Sequence, residues 1–153
     1  MISINFAKTE HIDLISEFEQ KHFYNEAYSK ETIIDILKDN YLLKNNINIF
    51  VALNQNDELI GYIIFTITED FTDILKIFIR DSERRNGYAK QLLNKIIDLA
   101  KRYKSKKLMI EVRSKNLSAI EFYKKNGFTQ ISTRNNYYSN PSDDALVFER
   151  DII

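Results

Sequence analysis

The sequence predicts a single mixed α/β domain of the α+β kind, in which about seven strands form one central sheet and about four helices pack around it. Three observations lead there. The 153 residues, 44% hydrophobic and 29% charged, have the size and balance of one soluble globular unit. Short β-rich runs alternate with segments of helical spacing in the order β-α-α-β-β-β-α-β-α-β-β, which places crossovers around the sheet centre. No repeat, linker or low-complexity tract divides the chain, so residues 1–153 are predicted to form one domain.

The opening run, residues 2–7, reads as a strand, and Ile12, Leu14, Ile15 and Phe18 mark the first helix. Ser29 signals a second helix, with Glu31 and Thr32 in its first turn and Ile33, Ile34, Ile36 and Leu37 as its apolar face. Between the two helices, residues 22–28 are aromatic and irregular, which suits a binding loop containing Tyr28. Strands over 47–53 and 59–68 follow, joined by Asn54-Gln55-Asn56-Asp57-Glu58, which has hairpin-turn chemistry. A third β-rich run covers 73–80. It enters a glycine-containing turn and then a helix whose stripe is Leu92, Leu93, Ile96, Ile97 and Ala100. A strand at 108–112, a helix from about Asn116 to Lys125 stopped by Asn126-Gly127, and strands at 128–133 and 145–150 complete the chain.

Composition excludes several classes of function. The 22 basic and 22 acidic side chains cancel, so no overall field draws the chain to nucleic acid or a membrane surface. The absence of cysteine removes disulfides, thiolate metal sites and a cysteine nucleophile. His11 and His22 have no partner at metal-ligand spacing and read as surface residues, so no metal is expected. The N-terminus lacks the basic flank and apolar run of a signal peptide, and no stretch approaches the ~18 apolar residues of a membrane span, which predicts a cytoplasmic protein.

The turn Arg84-Arg85-Asn86-Gly87-Tyr88-Ala89-Lys90 carries chemistry. A turn running into a helix offers several unpaired N–H groups and the positive end of the helix dipole. Gly87 and the small Ala89 would let a pyrophosphate come close, with Arg84, Arg85 and Lys90 adding charge. An ordinary helix start with solvated arginines explains the same pattern equally well. There is no G-x-x-x-x-G-K-[ST] and no G-x-G-x-x-G.

Taken with what surrounds it, this turn is more specific. The strand Ile74-Leu75-Lys76-Ile77-Phe78-Ile79 followed by Arg84 to Leu93 resembles the cofactor segment Q/R-x-x-G-x-G/A of the GNAT superfamily of N-acetyltransferases. Leu108-Met109-Ile110-Glu111-Val112-Arg113-Ser114-Lys115-Asn116 and Ala119-Ile120-Glu121-Phe122-Tyr123-Lys124-Lys125-Asn126-Gly127-Phe128 are similar to that family's second half. Arg134-Asn135-Asn136-Tyr137-Tyr138 and Asp143-Asp144-Ala145 resemble its ribosomal-protein-alanine N-acetyltransferase (RimI) branch. The resemblance is closest from residue 47 onward and holds only in outline before it.

The resemblance implies a sheet splayed between its fourth and fifth strands, with acetyl-CoA as cosubstrate. The backbone of Ile77, Phe78 and Ile79 would bind pantetheine, residues Arg84, Arg85, Asn86, Gly87, Tyr88, Ala89 and Lys90 the pyrophosphate, and Asn116 the cofactor's other side. An amine must lose a proton to attack a thioester, and the resemblance places Glu111 as the proton acceptor. Strand alternation sets Met109, Glu111 and Arg113 opposite Leu108, Ile110 and Val112; a solvated carboxylate paired with a nearby cation is the plainer reading of Glu111. Tyr123 matches the family's proton donor to the departing thiolate, and a half-buried packing tyrosine is its plainer reading. Tyr137 and Tyr138, after the strand 128–133, would lie on a loop closing the acceptor groove, or simply cover a sheet edge.

The implied acceptor is a protein N-terminal α-amine; a small amine or a lysine side chain is the alternative, in a monomer or a homodimer. A non-catalytic acyl-CoA-binding module would need neither Glu111 nor Tyr123. The chain departs from the family pattern at Lys76, Phe78, Arg80 and Ser82, and Glu26-Ala27-Tyr28 replaces the branch's Pro-Trp. These departures bear on the acceptor more than on the reaction.

Overall fold

The computed structural model describes residues 1–39 and 47–152. Its elements are β1 (Ser3–Phe6), α1 (Ile12–His22), α2 (Lys30–Asp39), β2 (Ile47–Leu53), β3 (Leu59–Ile67), β4 (Phe71–Ile79), α3 (Tyr88–Arg102), β5 (Lys107–Arg113), α4 (Leu117–Lys125), β6 (Thr129–Tyr138) and β7 (Asp143–Asp151). The strands form one seven-stranded sheet in the order β1-β2-β3-β4-β5-β7-β6. Element order, strand number and helix number all match the expectation from sequence. The chain divides into two compact units, Met1–Thr66 with Lys76–Ile96, and Ile67–Leu75 with Ile97–Ile153.

In the first unit, α2 begins where Ser29 Oγ accepts the Thr32 N–H at 3.1 Å, satisfying one of the donors a helix start leaves open. Ile33, Ile36 and Leu37 then fall on one buried face and join Ile15, Phe18 and Tyr62 in the core. The β2–β3 hairpin is tied by Asn54, whose Oδ1 accepts the N–H groups of Asn56 and Glu58, while Asp57 takes φ +60. Gly61 is obligatory on β3: a Cβ there would stand 2.5 Å from the Phe78 carbonyl oxygen and 2.6 Å from Ile79 Cδ1.

In the second unit, β4 runs parallel to β5, paired from Phe71↔Lys107 to Ile74↔Ile110. β5 pairs antiparallel with β7, and β7 with β6. β5 alternates as its sequence requires, with Leu108, Ile110 and Val112 buried and Met109, Glu111 and Arg113 on the more open face. α4 is capped by Asn116, whose Oδ1 accepts the Ala119 N–H at 3.2 Å, and Gly127 at φ +85 turns the chain out of it.

Candidate functional site

The predicted pyrophosphate turn belongs to the first unit. Arg85 at φ +65 and Gly87 at φ +77 put two left-handed residues into four positions, and a Cβ on Gly87 would meet nothing within 4 Å. The first helical bond of α3 is Gln91 N–H to the Gly87 carbonyl, 3.1 Å, so the N–H groups of Tyr88, Ala89 and Lys90 lie ahead of the hydrogen-bonded turn. Arg84 is held by Asp81 at 3.1 Å and donates from Nε to the Ile79 carbonyl at 3.3 Å; Asn86 Nδ2 donates to the Glu83 carbonyl. Open N–H groups at a helix start, beside basic residues, are chemistry that could hold an anion.

The end of β4 behaves differently from a simple backbone rail. Ile77 is partly exposed, whereas Phe78 and Ile79 are buried. The Phe78 ring packs among Phe18, His22, Phe23 and Tyr62, with centroids 4.8–6.5 Å away. Lys76 is buried as well. Its ammonium donates to Glu19 Oε1 and to the Glu26 carbonyl, and lies 4.6 Å over the Phe23 ring and 4.1 Å over the Tyr28 ring. Glu19, wholly buried, also accepts the Tyr62 hydroxyl at 2.5 Å and the Tyr28 N–H at 3.0 Å. Burial pulls the Lys76 ammonium below the ordinary lysine value against the attraction of Glu19, and burial pushes the Tyr62 phenol far above the ordinary tyrosine value, so Tyr62 is a neutral donor. Tyr28 is therefore part of a buried network that fixes the loop between α1 and α2.

The second unit carries Glu111 and Tyr123, the expected proton acceptor and proton donor. Glu111 stands on the open face of β5, 28% exposed, with Arg134 Nε 3.0 Å from its Oε1. The nearby Glu111 charge, then burial, raise the Tyr137 phenol, whose hydroxyl hydrogen-bonds Glu111. Asp73 on β4 pairs in register with Met109 and shares that face. Burial raises its carboxyl, Glu111 raises it further, and Arg134 opposes both. Arg113 Cζ lies 4.3 Å over the Tyr138 ring. Tyr137 and Tyr138 are strand residues rather than loop residues: β6 runs past Thr133 to Tyr138. An irregularity between Arg134 and Tyr138, with Asn136 at φ +54 and its N–H bonded to Asp144 Oδ1 at 2.8 Å, absorbs the break in pattern.

Tyr123 is wholly buried in α4 between Phe122 and Phe128, at centroid distances of 5.1 and 5.2 Å. Its hydroxyl has no hydrogen-bond partner, and burial raises the phenol well above its ordinary value. It packs between two rings, as the plainer reading of its sequence position allowed, but is fully rather than half buried. Asn116 spends its side-chain oxygen on its own helix. The loop carrying it is anchored by Asp143, which accepts Ser114 Oγ–H and the Lys115 N–H.

Sequence reasoning missed Asp73, Arg134, Glu19 and Tyr62. Alternation along β4 would have put Asp73 on the Glu111 face once the register was known; Glu19 and Tyr62 lie 57 and 14 positions from Lys76 and left no local signal. The surface reading is corrected for His11, which is buried at the start of α1 with Nδ1 accepting the Lys8 N–H at 2.9 Å; His22, the last residue of α1, is partly exposed and packs 4.8 Å from the Phe78 ring. A cleft of about 630 Å³ in the first unit, lined by Ser3, His11, Glu58 and Arg80 among others, contains none of the predicted site residues. Among the described residues no His, Cys, Asp or Glu group could hold a metal ion, and no helix is long and apolar enough to cross a membrane.

A protein of Bacillus subtilis (strain 168), provisionally named a ribosomal protein bS18-alanine N-acetyltransferase, is 28% identical over 92% of this chain and 89% of its own length. The ribosomal protein bS18-alanine N-acetyltransferase of Haemophilus influenzae is 35% identical over 65% of this chain and 70% of its own. The crystal structure of the ribosomal-protein-S18-alanine N-acetyltransferase from Escherichia coli superposes with a TM-score of 0.83 at 22% identity, covering 99% of this chain and 94% of that one, and so shares the fold. The family model described as acetyltransferase (GNAT) matches residues 12–128, and the chain belongs to that family of acetyltransferases.

Proposed function

We propose that this chain is a single-domain enzyme transferring the acetyl group of acetyl-CoA to the N-terminal α-amine of a protein, of the ribosomal-protein-alanine type. The observation that carries the reading is the Tyr123 hydroxyl, wholly buried and without a partner. A buried hydroxyl left unpaired costs free energy, and a thiolate sulfur arriving beside it would supply the missing acceptor. The residue's raised proton affinity keeps the phenol neutral at rest, so that it can offer the departing sulfur a hydrogen bond.

In this reading Glu111 accepts the proton that the amine must lose. The amine nitrogen forms a bond to the thioester carbonyl carbon, the carbon–sulfur bond breaks, and the sulfur takes the Tyr123 proton. The amides ahead of the α3 helical bonds, with Arg84, Arg85 and Lys90, hold the pyrophosphate, and the Ile77–Ile79 backbone holds pantetheine. Asn116 contributes from the start of α4, and Tyr28, Tyr137 and Tyr138 bear on the acceptor.

The test is thiol release from acetyl-CoA with a peptide beginning in alanine, a polyamine and a lysine peptide, using the wild type and Glu111→Gln. The expected result is preference for the alanine peptide and a loss of roughly 10²–10⁴-fold in kcat/KM for Glu111→Gln. No thiol release above the acceptor-free rate with any amine would refute an enzymatic role, and a preference for polyamine or lysine would refute the proposed acceptor.

A further inference from the structure

We infer that Asp73 is the residue that binds the positively charged end of the acceptor, so that the site selects amines arriving as ammonium ions. The inference rests on the proposed reaction but concerns a residue that reaction does not require. Asp73 pairs with Met109 on β5, and Glu111 lies two residues further along the same face, putting both carboxyl groups on one patch of the second unit. On β4, Phe71 and Leu75 share that face two residues to either side, and both are exposed large hydrophobic residues, 39% and 36%. Asp73 is thus a carboxylate set between two exposed apolar side chains. That is a surface for the start of a peptide: an ammonium on the carboxylate and a small side chain on the apolar groups.

The charges agree. Around Asp73, Glu111 repels and Arg134 attracts, and Arg134 is already committed to Glu111 at 3.0 Å, so one guanidinium serves two carboxylates. Part-burial makes the ionised form of Asp73 costly, and an incoming cation relieves that cost. Arg134 is itself 57% exposed and on an edge strand, free to yield its place on Glu111 when an ammonium arrives. Asp73 then holds the cation while Glu111 takes its proton. A protonated amine, the prevalent form of an α-amine at neutral pH, is captured directly, so the site need not wait for the scarce neutral form.

The experiment uses the full chain as wild type, Asp73→Asn and Asp73→Glu, with two acceptors. One is a peptide beginning in alanine; the other is the same peptide with an aminooxyacetyl group in place of alanine, a weak base that is uncharged at neutral pH. Asp73→Asn should raise KM for the alanine peptide by about tenfold or more with kcat within about twofold, and leave the aminooxy peptide unchanged; Asp73→Glu should restore most of the loss. Equal effects on both acceptors, or an unchanged KM, would overturn the inference while leaving the acetyltransfer reading intact. If the wild type acetylates neither, that reading falls. A nuclear magnetic resonance titration then decides Asp73 separately: the alanine peptide must bind more tightly than its N-acetylated form, and Asp73→Asn must abolish the difference.

Discussion

Replacing Lys76 with methionine keeps most of the aliphatic stem and deletes the ammonium. What remains is Glu19, wholly buried, still bonded to the Tyr62 hydroxyl and the Tyr28 N–H but without its counter-charge. Removing one partner of a buried ion pair typically costs about 3–5 kcal/mol, because the other charge is stranded. The two surviving hydrogen bonds pull the cost down, while the lost contacts to the Glu26 carbonyl and to the Phe23 and Tyr28 rings push it up. The expected net loss is about 3–4 kcal/mol, or roughly 6–16 °C in Tm for a domain of this size. Urea unfolding followed by circular dichroism measures it, with an unchanged m-value as the sign that the unfolded state is the same. The double variant Glu19→Gln, Lys76→Met should recover at least about 2 kcal/mol over the sum of the singles. A single-variant loss under about 1 kcal/mol, or additive singles, would refute the reasoning.

Tyr123→Phe removes a buried hydroxyl with no partner, so stability should hold or rise by about 1 kcal/mol while kcat falls at least about tenfold; urea unfolding and thiol release check the two halves. Asp73→Asn should be more stable than the wild type at neutral pH, because the raised carboxyl value penalises the ionised form. The penalty is full above the folded value and fades as pH falls toward the ordinary carboxylate value of about 3.9, so urea midpoints of the two proteins should converge on acidification. Gly61→Ala forces a Cβ to 2.5 Å from the Phe78 carbonyl oxygen and should cost about 1–3 kcal/mol or fail to fold. Gly87→Ala meets no atom and has only its φ of +77 to bear, about 1 kcal/mol, so thermal melts should rank the two clearly.

Much of the fold was legible because its strands and helices announce themselves locally. The stripe on α3, the Ser29 cap and the alternation on β5 each follow from residues within one or two turns of one another, and each stands where the pattern puts it. The end of β6 was not legible. Arg134-Asn135-Asn136 looks like a strand terminus, and only a left-handed Asn136 tied to Asp144 carries the strand on to Tyr138. The buried state of Lys76 was equally hidden. A lysine on a strand is ordinarily exposed, and the glutamate that makes burial tolerable is 57 residues away. Around Glu111, the strand face could be read from spacing, but the companions Asp73 and Arg134 became visible only when the β4–β5 and β6–β7 registers brought them to it.

β6 is exposed at every position from Thr129 to Tyr137, yet it supplies Arg134 and Tyr137 to the Glu111 carboxylate. Substitutions at such positions ordinarily change stability by no more than about 0.5 kcal/mol. Selection can therefore rewrite this strand with almost no penalty to folding, altering the groups around Glu111 while the buried strands hold the architecture constant. A lineage that drifts at β6 keeps its fold and is free to change its acceptor, so divergence among relatives should concentrate there first.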